Sequence, residues 1–247
     1  MLSQRDRHVW KFPPQNGHNI NDFKGIWARA ATHCGSSNTL RASLPMQIKA
    51  QALTTKPDRE FLSAISHCVF QAGFAWHAVD AMWPGFEQAF PGFEPSRLLS
   101  LDDEAWNAYK ADQHIVHNGP KIQSVRHNAA MVRQIAIEAR GFGHFLAAWP
   151  VDDVAGLMTF LKQNGSRLGS ATGTRFLTAI GKDCFALDEA VIAGLRQPGL
   201  SITSQPTSAR DLAHIQSDIN HWHVESGLAF QQMSLVLSAS TGCHTMT

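Results

Sequence analysis

The chain has 247 residues, of which 44% are hydrophobic and 17% are charged. This composition is typical of a globular protein with a sizeable core, built as one large domain or one domain of two lobes, and it excludes an intrinsically disordered chain. Because the net charge is only +1, the protein as a whole is not strongly basic, and any DNA-binding surface must come from local clustering of Lys and Arg.

The first 20 residues contain two prolines and one glycine without hydrophobic periodicity, so we predict a flexible N-terminal arm over 1–20. Neither this segment nor any later run is apolar enough to be a signal peptide or a membrane span. The cysteines lie far apart and form no C-x-x-C pair, which favours free thiols in a cytoplasmic protein. They are Cys34, Cys68, Cys184 and Cys243.

The sequence pattern over residues 22–90 predicts helices separated by proline and glycine. A short helix is expected over residues 22–31, and the apolar stretch 40–53 is interrupted by Pro45. The next helix opens at Pro57. Proline is tolerated in the first turn of a helix, because a backbone N–H there would have no partner within the helix. The residues Phe61, Ile65 and Val69 of this helix share one face. We expect the following run to end at Trp83-Pro84-Gly85 and a separate short helix to cover 86–90.

In the rest of the chain, the pattern predicts an N-terminal helix cap at residues 100–103. It also predicts a long helix that opens at Asn118 and ends near Gly141. Further caps are expected at Asp152 and Thr207. No sustained two-residue alternation predicts a sheet. The sequence therefore predicts an all-α protein of about ten helices, with one helical domain over 21–240 and a tail over 241–247.

The stretch FQAGFAW, residues 70–76, combines side chains that a plain core would not select. Gln71 offers an amide, and Trp76 offers a flat ring with one N–H donor. Such a pair suits a pocket that stacks a nucleobase and reads its edge. The alternative is a packed helix end with a satisfied glutamine.

Within residues 165–191, a glycine-containing turn followed by a helix that starts near Gly169 suits contacts with a DNA phosphate. Backbone N–H groups can approach a phosphate oxygen there, and the start of the helix adds its positive dipole end. Such contacts position DNA without reading its sequence. The alternative is an ordinary corner between two helices.

FQAGFAW, WPGFEQAF, IVHNGPKIQSVRHNA and the glycine-containing turn together resemble the DNA-3-methyladenine glycosylase I family of the helix-hairpin-helix superfamily. The resemblance covers about residues 57 to 195, and QAG-x-x-W is its best single motif. It implies a two-lobed helical bundle of the helix-hairpin-helix DNA glycosylase type, which flips a base into a pocket. It also implies that Gln71 reads the base, that Trp76 stacks on it or lines the pocket wall, and that Trp27 belongs to the pocket. The alternative for Trp27 is core packing.

The resemblance also assigns roles to the hairpin. Leu168-Gly169 and Thr172 match the superfamily's Val-Gly and Thr, so Gly169, Ser170 and Thr172 would hold DNA phosphate. Arg167 stands where the superfamily has its first glycine, and its guanidinium suits phosphate. Lys121 and Arg126 would extend this basic face.

Leu187-Asp188-Glu189-Ala190-Val191 lies where superfamily members carry Val-Asp-Thr-His-Val, whose aspartate is catalytic. Asp188 is therefore the candidate carboxylate for stabilising an oxocarbenium-like sugar or orienting water. The alternative is that Asp188 only caps a helix. No lysine stands beside Asp188 as an obvious nucleophile, although Lys182 is near, which argues against a Schiff-base lyase.

Two departures from the family matter. Cys68 replaces a glutamate that contacts the base, and at this position it would shape the base pocket. A neutral thiol cannot offset the charge of a 3-alkylated purine, so either another acid serves or the preferred base differs. The family's Cys and His zinc ligands have no matching set here, so we expect no zinc and no other cofactor.

The sequence thus predicts a monomeric, monofunctional glycosylase that acts on double-stranded DNA and removes an alkylated base, with 3-methyladenine as the expected substrate. The alternatives are a non-catalytic binder of damaged DNA and a helical interaction module unrelated to DNA.

Overall fold

The computed structural model describes residues 23–46, 49–197 and 201–242. Within these ranges the chain forms fourteen α-helices and no β-strand, which confirms the all-α prediction. The predicted arm, and Cys243 in the predicted tail, lie outside the described residues. The helices are α1 (Phe23–His33), α2 (Ser37–Ser43), α3 (Gln51–Thr54), α4 (Asp58–Gln71), α5 (Trp76–Ala89), α6 (Pro95–Leu99), α7 (Asp103–Ala108), α8 (Gly119–Ala139), α9 (Phe142–Ala148), α10 (Val154–Asn164), α11 (Ser170–Ile180), α12 (Glu189–Arg196), α13 (Ala209–Ser226) and α14 (Phe230–Ala239).

The helices pack around two hydrophobic cores. The larger core joins α1 to α3 with the helices from α9 onward, and the smaller core joins α5, α6 and α7. Burial of this apolar surface is the main force that holds the helices together. Two cores agree with the expected two-lobed architecture.

Two helices, α4 and α8, contribute to both cores. On α4, Phe61, Ile65 and Val69 face the larger core, as their four-residue spacing predicts, while Leu62 and Phe70 face the smaller one. On α8, Ile122 and Val125 belong to the smaller core and Val132 to the larger. A helix that is apolar on two faces must be buried on both, so α4 and α8 form the wall between the lobes.

The prediction that a helix ends at Trp83-Pro84-Gly85 was wrong. Helix α5 continues through Pro84 to Ala89, although proline removes one helical hydrogen bond. The reason is aromatic packing on both sides of the proline. Trp83 stacks on Phe86 and Phe93, with ring centroids 4.9 and 5.3 Å apart, and Phe86 is fully buried.

Two predicted caps are displaced by one residue. Asp153 rather than Asp152 caps α10 by accepting a hydrogen bond from the Gly156 backbone N–H. Ser208 rather than Thr207 caps α13 by accepting one from the Asp211 N–H. Neighbouring residues that can all cap compete for one position, and tertiary packing decides between them.

Candidate functional site

The turn between α4 and α5 places Gln71 and Trp76 side by side. Gln71 is the last residue of α4 and Trp76 the first of α5. Gly73 has a φ of 75°, a left-handed conformation that glycine adopts without steric cost, and it lets the chain reverse within four residues. Gln71 is 7% exposed, whereas Trp76 is 55% exposed, so a buried amide lies beside an accessible indole.

Both ends of the Gln71 amide are hydrogen-bonded. Its nitrogen donates to the Asp80 carboxylate at 2.7 Å, and its oxygen accepts from the Arg175 guanidinium. His67 donates to the same Asp80 oxygen at 2.8 Å. Because an ionised carboxylate only accepts and a guanidinium only donates, these partners determine which way the amide points.

Arg175 is the functional candidate that sequence reasoning missed. It lies on α11, and its guanidinium carbon stands 4.1 Å from the centroid of the Trp76 ring, which is a cation–π contact. The guanidinium therefore contacts both residues of the predicted base pocket. The space between Gln71 and Trp76, which we expected to be open, holds this side chain.

Cys68 lies one helical turn before Gln71 and is also near Arg175. Burial raises the pKa of the Cys68 thiol, and the positive charge of Arg175 partly offsets this rise. The thiol is therefore neutral at physiological pH, as the sequence predicts. Three predicted base-binding residues, Cys68, Gln71 and Trp76, thus meet at Arg175.

Lys121 does not lie on an exposed basic face, in contrast to the prediction. It is 4% exposed, and its ammonium donates to the backbone oxygens of Phe70, at 2.9 Å, and Ala72. The ammonium also stands 4.2 Å from the centre of the Phe74 ring. Its pKa is lowered, first by burial and then by the charge of Arg167. Lys121 therefore fixes the turn that carries Gln71 and Trp76.

The predicted hairpin joins α10 to α11. Gly169 occupies the N-cap of α11, and Arg167 is exposed, with a φ of 62°. Arg167 thus adopts the conformation that a glycine at this position would adopt, so the turn forms without one. Thr172 is half-buried in the first turn of α11. Ser170 begins α11 and provides a backbone N–H at that end.

Asp188 occupies the N-cap of α12. Its carboxylate accepts a hydrogen bond from the Val191 N–H at 2.9 Å, and the residue is exposed. No hydrogen bond or ion pair between described residues joins Asp188 to Gln71 or Trp76. The structure therefore displays the capping role, and the catalytic role stays a prediction.

Lys182 is a buried residue whose ammonium binds backbone carbonyls. The ammonium donates to the backbone oxygens of Leu146 and Trp149, at 2.8 Å each. Burial lowers the pKa of this ammonium. The two carbonyls lie at the C-terminal end of α9, where helix carbonyls lack intrahelical partners.

Among the described residues, no hydrogen bond or ring contact joins Trp27 to Gln71, Trp76 or Arg175. Trp27 is on α1, where its indole N–H donates to the Ser37 hydroxyl at 3.2 Å. The Arg41 guanidinium stands 4.8 Å from its ring, and the ring packs against the larger core. These contacts match the core-packing interpretation of this tryptophan.

A cleft of about 390 Å³ lies beside the site, between α4, α5 and the end of α11. Lys56, Arg59, His67, Trp83 and Ile180 are among its lining residues. His67 also bonds Asp80, so the cleft and the Gln71 network share one side chain. Gln71 and Trp76 do not line it.

No group of three or more His, Cys, Asp or Glu side chains in the described part of the chain could hold a metal ion. In the same residues, no helix has both the length and the apolar character needed to cross a bilayer.

Comparison with known proteins finds similarity to DNA glycosylases. The profile of the methyladenine glycosylase family matches residues 52–166, which include Gln71, Trp76 and Lys121. No protein in a search of curated sequences matches the chain.

The chain is similar to solved structures at low sequence identity. The 8-oxoguanine glycosylase/lyase of Methanocaldococcus jannaschii, in complex with DNA containing 8-oxoguanine, is 13% identical, with 87% of this chain and 95% of that chain covered and a TM-score of 0.52. 3-Methyladenine DNA glycosylase I of Staphylococcus aureus is 21% identical, with 62% of this chain and 92% of that chain covered and a TM-score of 0.46. The match to the methyladenine glycosylase family covers residues 52–166, slightly less than half of the chain, and the fold of the chain is that of the helical DNA glycosylases.

Proposed function

We propose that the protein is a monofunctional DNA glycosylase that binds double-stranded DNA, flips out an alkylated base and hydrolyses its N-glycosidic bond. The observation that carries this proposal is the pairing of the Gln71 carbonyl oxygen with the Trp76 ring around one planar cation, the Arg175 guanidinium. A base alkylated at a ring nitrogen is also a planar cation with N–H donors.

The substrate we propose is 3-methyladenine. Because the alkylated base is positively charged in DNA, its glycosidic bond is already weak, and selection of the base supplies much of the specificity. Trp76 would hold the cation by stacking, and Gln71 would accept from its amino group. Asp188 would stabilise the positive sugar or orient the attacking water.

DNA binding would rest on the hairpin. Arg167 is exposed beside the start of α11, and helix starts attract phosphate oxygens through free N–H groups and the helix dipole. Gly169, Ser170 and Thr172 would hold the backbone near the damaged nucleotide. A helix-start contact of this kind positions the duplex and leaves recognition of the base to the pocket.

Base release from methylated duplex DNA, separated by chromatography, tests the activity. We expect wild type to release 3-methyladenine and Gln71→Ala to lose at least tenfold in rate, since each ~1.4 kcal/mol of lost transition-state binding is tenfold. Gln123→Ala, which changes an exposed glutamine on α8, is the matched control and should keep the wild-type rate. Release by wild type that equals buffer would refute the enzyme proposal.

The second candidate is a binder of damaged DNA that does not cleave it. The capping role of Asp188 favours it, because the hydrogen bond that this carboxylate accepts from the Val191 N–H is structural. A binder would retain methylated duplex, with an affinity that falls steeply with salt, and would release no base from it.

A further inference from the structure

Arg175 stands at the centre of the proposed base site. Its guanidinium lies over the Trp76 ring and donates to the Gln71 oxygen, and its charge reaches the Cys68 thiol. These are the same three side chains that we assign to the flipped base. A base that stacks on the face of Trp76 covered by the guanidinium and donates to the Gln71 oxygen would take the place of Arg175.

The guanidinium offers the same chemistry as the proposed substrate. It is a flat, delocalised cation with N–H donors in its plane. A 3-alkylated adenine in DNA is also a flat cation, with an amino group at its edge. Both can stack on an indole and donate to an amide oxygen.

The site does not depend on Arg175 for its shape. Asp80 holds the nitrogen of the Gln71 amide at 2.7 Å, and His67 holds the Asp80 carboxylate at 2.8 Å. Asp80 also follows Trp76 by four residues on α5, so the two share a helix face. The Gln71 oxygen therefore stays directed into the site when the guanidinium leaves.

We propose that Arg175 is an internal occupant of the base site, which the flipped cationic base displaces, and that Asp80 is the positioning residue for Gln71. This inference rests on the proposed function. The freed side chain has a destination, because Arg175 is on α11, the helix whose start we assign to DNA phosphate. In the absence of damage the arginine keeps the Trp76 face covered.

Displacement has a definite thermodynamic consequence. If only a fraction of molecules has Arg175 outside the site, the apparent affinity of every ligand is the intrinsic affinity multiplied by that fraction. Removal of the Arg175 side chain should therefore raise the binding affinity for all ligands by one common factor. Discrimination between a cation and a neutral base comes instead from Trp76, Gln71 and Asp80.

The probes are two purines that the protein cannot hydrolyse, because a methyl group replaces the sugar. The 3,9-dimethyladeninium ion is permanently charged, and 9-methyladenine is its neutral counterpart. Binding of each to the full chain is measured by isothermal titration calorimetry. We expect Arg175→Ala to bind both about tenfold more tightly than wild type, which corresponds to ~1.4 kcal/mol for the lost stacking and hydrogen bond.

Three variants complete the design. Arg175→Lys keeps the charge and the stem but lacks the flat fork, so a smaller gain is expected, and it replaces Arg175→Ala if that variant does not fold. Arg41→Ala removes an arginine that stacks on Trp27, outside the site, and should leave both affinities unchanged. Asp80→Asn should lower the ratio of cation to neutral affinity, whereas a purely structural role would weaken both ligands equally.

Weaker binding of both purines by Arg175→Ala would show that the arginine contacts the base directly, and unchanged binding would show that it does not occupy the site. Either result overturns the inference. Base release separates this inference from the proposed function. Tighter purine binding without release would refute only the enzyme, and release with unchanged purine binding would refute only the displacement.

Discussion

Asn128 on α8 pairs with the backbone of Ser166 in the hairpin through both ends of its side-chain amide. Its oxygen accepts from the Ser166 N–H at 2.7 Å, and its nitrogen donates to the Ser166 carbonyl at 3.1 Å. The side chain is fully buried. Since Lys121 on the same helix fixes the turn before Trp76, α8 aligns the proposed phosphate contact with the proposed base site.

Replacement of Asn128 by Ala should lower the free energy of unfolding by about 2–3 kcal/mol, because two buried backbone groups lose their partner. Urea denaturation measures this change. Asn107→Ala is the control, since Asn107 only accepts a bond from Lys110 at the surface, and it should change stability by less than ~0.5 kcal/mol. Equal losses in the two variants would contradict the proposed alignment role.

Replacement of Arg167 by Gly should separate strain from DNA binding. The left-handed conformation of Arg167 costs roughly 1–2 kcal/mol, and the greater freedom of glycine in the unfolded chain offsets about half, so a net gain of about 0.5 kcal/mol is expected. DNA affinity should fall, and the slope of log K against log salt should shrink by about 0.9 for one lost phosphate contact.

Arg140→Gly provides the control for Arg167→Gly. Arg140 has a φ of 63°, close to the 62° of Arg167, and is also exposed, but it ends α8 away from the hairpin. The Arg140→Gly variant should gain about as much stability as Arg167→Gly, without loss of DNA affinity. If both variants weakened DNA binding equally, the phosphate contact could not be assigned to Arg167.

Replacement of Lys121 by Met should weaken catalysis without a change in the salt slope. The methionine fills the space of the stem but leaves the carbonyls of Phe70 and Ala72 without their donor, so the Gln71 to Trp76 turn loses its anchor. We expect at least a tenfold loss in base release. A reduced salt slope for undamaged duplex would instead support the original phosphate prediction for Lys121.

Replacement of Asp188 by Asn tests catalysis apart from capping. Asn caps a helix about as well as Asp, so stability should stay within about 0.5 kcal/mol, while Asp188→Ala should lose about 1 kcal/mol. Asp188→Asn should reduce excision of neutral bases far more than excision of 3-methyladenine, whose bond is already weak. Equal losses on both kinds of base would argue against this explanation.

The Cys68 thiol reports on Arg175 without any DNA. Burial raises its pKa and Arg175 lowers it, so alkylation of Cys68 should be slow at neutral pH and accelerate only as the pH rises through the raised value. Arg175→Ala should shift that profile to still higher pH. Mass spectrometry of labelled peptides follows each cysteine, with half-exposed Cys34 as the reactive reference.

The sequence by itself determined the helical class, the buried face of α4 and the pairing of Gln71 with Trp76, because these follow from residues a few positions apart. Helical periodicity and one turn bring such residues together in any tertiary arrangement. The cap at Asp188 is local in the same sense.

Only the tertiary structure decided what lies between Gln71 and Trp76. Arg175 comes about a hundred residues later in the chain, and its arrival depends on the packing of α11 beside α4. The burial of Lys121 has the same origin, since its carbonyl partners end a different helix. The sequence does not show whether a charged side chain is solvated or is hydrogen-bonded to a backbone carbonyl, because those contacts form only in the folded chain.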